Sequence, residues 1–141
     1  MKTLKTLTTA LLVILSASAF ASDETSNNKL QMDYTIKAYI DAVSNGKVKG
    51  VGEIFDTEVK ATETRGERIV NFSKSEIIAS LKVNENIVQN CSTSYSLVDL
   101  SSTQAVVKVV MTYEGFSLVK YLNVSNTSKG WKITNISTTF S

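Results

Sequence analysis

The sequence predicts an α+β domain in which three N-terminal helical segments pack on an antiparallel sheet. Apolar residues recur at helical spacing in the first half of the chain, and from Thr93 onward they alternate with period two between tight-turn signals. Neither an internal repeat nor a domain linker interrupts the 141 residues, which is room for one ordinary domain.

The elements follow in order. Lys2 and Lys5 precede an apolar run from Leu7 to Phe20 that is too short for a membrane span and ends in Ala19-Phe20-Ala21, small residues where a signal peptidase requires them. This predicts a signal peptide over residues 1–21, cleaved after Ala21, a secreted or periplasmic protein, and no membrane attachment after cleavage. Residues 22–28 are polar and without period, as expected of a disordered tail. The domain is expected over 29–141. Met32, Ile36, Tyr39, Ile40 and Val43 form one helical stripe, and Asn45-Gly46 supplies the left-handed residue that ends it. A second, shorter helix is expected from Lys47, with Val48, Val51 and Phe55 on one side and Gly50 and Gly52 weakening it. Glu58 to Glu63 and Arg68 to Phe72, joined by Arg65-Gly66-Glu67, read as a hairpin. Ser73-Lys74-Ser75-Glu76 has the form of a capping box, and Ile77, Ile78 and Leu81 continue a third helix to about Asn84. Four long strands complete the chain, punctuated at Ser101-Ser102, Glu114-Gly115 and Ser128-Lys129-Gly130, most simply as an antiparallel meander. Both faces of the strands 105–113 and 116–124 are partly apolar. One face is therefore expected to pack on the helices, while the other meets a partner subunit or curls over a cavity.

Composition narrows function by exclusion. Histidine is absent and Cys91 is the one cysteine, so His-based triads, His-rich metal cages and internal disulfides cannot be built from this chain alone, and no metal site or cofactor is expected. Cys91 is expected to be buried. Removal of Lys2 and Lys5 leaves 13 basic against 13 acidic residues. A neutral chain without a basic face does not fit a nucleic-acid partner. Five Asn-x-Ser/Thr sequences are expected by chance in a chain this rich in Asn, Ser and Thr.

The run Ile36-Lys37-Ala38-Tyr39-Ile40-Asp41-Ala42-Val43-Ser44-Asn45-Gly46, the following Ile54-Phe55, the Arg65-Gly66 turn and Gly130-Trp131-Lys132-Ile133, in this order of elements, resemble the nuclear transport factor 2-like superfamily. Within it the chain is similar to the secreted, lumazine-binding-like group. The resemblance implies a cone-like, cystatin-like fold, with a strongly bent sheet wrapped around the helices and a pocket inside. It also implies a small apolar or aromatic ligand, while the two partly apolar faces of the strands predict a homodimer through the sheet. Candidate ligand-binding residues are Tyr39, Phe55, Glu63, Tyr121, Asn123 and Trp131, with Tyr113 as a further aromatic wall. Laid along this chain, the pattern of ketosteroid isomerase places an oxyanion tyrosine on Tyr39, the carboxylate base on Glu63 and the second donor on Asn123. Three readings result: a non-catalytic ligand-binding domain, a proton-transfer isomerase or cyclase using that trio, and a dimeric interaction module whose cone is filled by Phe55, Tyr95 or Trp131.

Overall fold

In the computed structural model, which describes residues 31–141, the first helix (α1, residues 31–45) buries Met32, Ile36, Tyr39 and Ala42 along the expected stripe. The expected signal peptide, its cleavage site and the expected polar tail fall outside the described residues. Gly46, at φ 68°, ends α1 as its sequence context predicts. The expected second helix is reduced to one 3-10 turn, Val51–Ile54. Gly50 before it is left-handed at φ 72°, a conformation an α-helix cannot contain, and Phe55 already belongs to the next strand. The predicted stripe survives as packing, since Val48, Val51 and Phe55 are all buried. The domain therefore has two α-helices rather than three.

Strands β1 (Phe55–Arg65) and β2 (Arg68–Phe72) form the hairpin, and helix α2 (Lys74–Val83) follows. Ser73 and Glu76 make both bonds of the capping box. Strands β3 (Ser92–Leu100), β4 (Gln104–Tyr113), β5 (Phe116–Thr127) and β6 (Gly130–Phe140) run as the antiparallel meander. One six-stranded sheet results, in the order β2-β1-β6-β5-β4-β3. Its join is the one departure from an antiparallel sheet: β1 lies parallel to β6, with Ala61 opposite Ile136 and Glu63 opposite Thr138. Register shifts between Phe55 and Lys60, Leu97 and Asp99, and Asn123 and Val124 bend three of the strands, as bulges do, and curve the sheet around the helices.

Alternation fixes what the concave face carries. Ala105, Val107, Val109 and Met111 of β4, Leu122 and Val124 of β5, and Trp131, Ile133 and Ile136 of β6 are buried against α1, the 3-10 turn and Ile77 of α2. Tyr95 of the edge strand β3 donates its hydroxyl to Asp33 Oδ1 of α1 at 3.0 Å, and Thr35 Oγ1 donates to the Trp131 carbonyl at 3.0 Å. These bonds tie α1 to both ends of the meander. Cys91 is half-buried against the core rather than fully buried, because it precedes β3 in the segment joining α2 to the sheet edge.

Candidate functional site

Strand pairing lays inward-facing residues in lateral rows across the sheet. One row runs Leu97, Val107, Leu122, Ile136, Ala61 and Phe72, and is wholly apolar. The next, two residues along each strand, runs Tyr95, Val109, Lys120, Thr138, Glu63 and Val70. Core packing thus gives way to polar chemistry over one step of the pleat. Over this boundary, beneath α1 and α2, lies a cavity of about 550 Å³, within the range that holds small ligands. Its apolar walls come from Tyr39, Ala42, Ala61, Ile77, Met111, Leu118 and Ile136, and its polar side from Glu63, Arg65, Glu76, Tyr113, Lys120 and Thr138.

Each polar group has a local cause. Glu63 and Arg65 are two apart on β1 and so share a face; Glu63 Oε2 accepts from Arg65 Nη2 at 3.1 Å and Nε at 3.3 Å. The guanidinium also lies 5.8 Å from the centroid of the Phe72 ring. Glu76 Oε1 is occupied by the backbone N–H and hydroxyl of Ser73. Lys120 Nζ donates to Thr138 Oγ1 across the β5–β6 pair at 3.1 Å. Tyr113 stacks on Phe116 with centroids 4.8 Å apart, and burial, then the neighbouring Cys91 sulfur, raise its hydroxyl pKa above the ordinary tyrosine value.

Tyr39, Glu63 and the further aromatic candidate Tyr113 are brought together in this cavity. The other candidates are not. Phe55 is 2% exposed and sits edge-on to the Tyr39 ring at 6.2 Å, inside the closed core. Trp131 is buried at the start of β6, and its Nε1 has no hydrogen-bond partner among the described residues. These two rings fill one end of the cone and leave the other open. Tyr121 and Asn123 project from the opposite, convex face, because Leu118, Lys120, Leu122 and Val124 are the β5 residues that alternate inward. Asn123 is exposed there and borders a shallow groove of about 300 Å³ with Asp99, Ser101 and Thr134. The trio of Tyr39, Glu63 and Asn123 is therefore not assembled, and Glu63 is held by Arg65 as an ion pair. Lys120 and Thr138 were absent from the sequence-derived candidates. The signal for Lys120 was present, since it falls between Leu118 and Leu122 on the apolar stripe of β5.

A second concavity, about 590 Å³ around Gly50, Asp56, Lys74 and Lys129, lies at the other end of the domain. Lys74 donates to the Phe55 carbonyl at 3.2 Å and Lys132 to that of Glu53, so two of its lysines cap backbone rather than face a site. Among the described residues no group of three or more His, Cys, Asp or Glu side chains comes together.

Residues 27–139 match the sequence profile of the family described as "Putative lumazine-binding". The chain belongs to this family. No curated protein matches it. In architecture this lumazine-binding-like chain is similar to a nuclear transport factor 2-like protein of unknown function from Silicibacter pomeroyi DSS-3, at TM-score 0.70 and 16% identity over 83% of this chain and 98% of that one. A nuclear transport factor 2-like protein from Methylobacillus flagellatus KT superposes at TM-score 0.67 with 13% identity over 82% and 93% of the two chains. A cystatin-like fold protein from Burkholderia xenovorans LB400 does so at TM-score 0.62 with 13% identity over 81% and 92%. At such identities the likeness is one of fold, and it establishes the nuclear transport factor 2-like cone.

Proposed function

We propose that this lumazine-binding-like domain holds one small, mostly apolar aromatic molecule in the open end of the cone. The observation that carries the reading is the cavity of about 550 Å³, lined by Tyr39, Ala61, Met111, Leu118 and Ile136 together with polar groups that include Lys120, Thr138 and Glu63. A flat heterocycle would place its faces against the apolar walls and its edge toward Lys120, Thr138 and Glu63. The family description supports the same ligand class. Binding without catalysis is favoured over proton transfer, because the third member of the trio is on the far face and Glu63 is neutralised by Arg65. Binding is also favoured over a filled scaffold, because Phe55 and Trp131 occupy only one end. The setting we infer is extracytoplasmic, on the support of Lys2, Lys5, the apolar run after them and Ala19-Phe20-Ala21.

Titration of the full chain with lumazine, followed by the fluorescence of the pteridine, tests the reading. Ala61 faces the cavity between Phe72 and Ile136, so Ala61→Phe fills it and weakens binding by at least about tenfold. Tyr121→Ala, on the convex face, leaves binding unchanged. Failure of lumazine to bind, with no other aromatic molecule co-purifying by mass spectrometry, would overturn the proposal, as would an Ala61→Phe variant that binds normally.

A further inference from the structure

Four charged side chains line the cavity, and three are committed to an ion pair or a helix cap. Glu63 and Arg65 hold each other, and Glu76 is committed to capping α2 through Ser73. Lys120 is the exception. It stands in the inward stripe Leu118, Lys120, Leu122, Val124, with Val109 on one side and Thr138 on the other. No carboxylate lies within 4.0 Å of it among the described residues, and its partner is the neutral hydroxyl of Thr138. Taking an ammonium partly out of water on an otherwise apolar stripe is unfavourable for the fold, and a leucine or methionine would pack there better. The Thr138 hydroxyl needs no charged donor.

On the reading of the cavity as a ligand site, which this deepens, we propose that Lys120 selects ligands bearing an anionic oxygen on the aromatic frame. The oxygen is that of a carboxylate or of an ionised ring imide. Nζ donates to it, and Thr138 Oγ1, already within hydrogen-bond distance of Nζ, orients the ammonium. The ligand's charge supplies the counter-ion that the described residues do not.

The test uses the full chain with a matched pair of probes, 2-naphthoate and its neutral counterpart 2-naphthamide, with methyl NMR shifts of Ala61, Leu118 and Ile136 reporting entry into the cavity. Wild type binds the carboxylate on the order of tenfold more tightly than the amide, as a charge-assisted hydrogen bond in a partly dry site implies. Lys120→Met brings that ratio to about one by weakening naphthoate alone, and Lys120→Arg retains the preference. Equal affinities on the wild type, or a preference that survives Lys120→Met, would overturn the assignment while leaving the cavity reading intact. If neither probe shifts the three methyl signals, the cavity reading fails and this inference with it. Thermal unfolding supplies a further readout: Lys120→Met leaves the melting temperature unchanged or raised, whereas a fall of roughly 5 °C or more would make the lysine part of the fold and sink the proposal.

Discussion

Tyr95 gives its hydroxyl proton to a bond with Asp33, and burial first, then that carboxylate, raise its pKa above the ordinary 10.0. The folded state keeps this proton when the unfolded chain has lost it. Stability from the pair is therefore fully present below the unfolded tyrosine pKa, and drains away as pH rises through the higher folded value. Urea midpoints should fall from about pH 10 upward, and Tyr95→Phe should flatten part of that fall; a variant with the same alkaline slope as the wild type would contradict it. At this scale the sequence was readable where a side chain's face followed from a helix stripe, as for Tyr39. Within a strand, alternation places Tyr121 and Asn123 on the face of Val119, opposite Leu118 and Leu122. What alternation cannot supply is which of two mixed faces points inward. Val106, Val110 and Val119 make the convex face read as apolar as the concave one, and the isomerase pattern that puts a donor on Asn123 carries no information on which face of β5 is inward.

At the scale of elements, the junction where the ends of the two helices meet is tightly constrained. Gly46 is buried and left-handed, and a Cβ there would meet Asn84 O at 2.5 Å and the backbone nitrogens of Asn86 and Ile87 at 2.6 Å. The same approach is what lets Asn86 N–H reach the Gly46 carbonyl at 2.9 Å and Gln89 N–H the Ser44 carbonyl at 2.6 Å. Since the obstacles are backbone, they cannot swing aside. Gly46→Ala should destabilise the domain by about 2–5 kcal/mol, whereas Gly66→Ala, in an open turn with φ 65°, should cost only about 1 kcal/mol; equal costs by urea unfolding would refute the argument. The sequence located Gly46 as a helix end from its Asn-Gly context, and the capping box at Ser73 from its spacing. It overstated the segment after Lys47 because the valine stripe is the same for a helix and for a tight turn leading into a strand. The left-handed Gly50 decides between them.

For the molecule as a whole, the convex face remains to be accounted for. Val106, Val110 and Val119 are only partly covered there and Tyr121 is 37% exposed, with Lys108 and Ser137 beside it in the central row of the face. We propose that a second copy of the chain packs on this face. A stable homodimer needs about 800 Å² from each partner. Sedimentation should report a dimer for the full chain and a monomer for Val119→Glu, with lumazine binding retained in both; a wild type that stays monomeric at high concentration would remove this proposal alone. The parallel contact of β1 with β6 had no local signature, because pairing between segments some seventy residues apart is decided by which faces close the core and not by turn chemistry. That contact has a further consequence. The hairpin's hydrogen bonds to the rest of the sheet all pass through β6. Without β6 the sheet divides into the hairpin β1–β2 and the three strands β3–β5, each with an unpaired border. The concave surface closes only when β6 bridges them, so the slowest step of folding is expected to be this non-local pairing rather than formation of either piece.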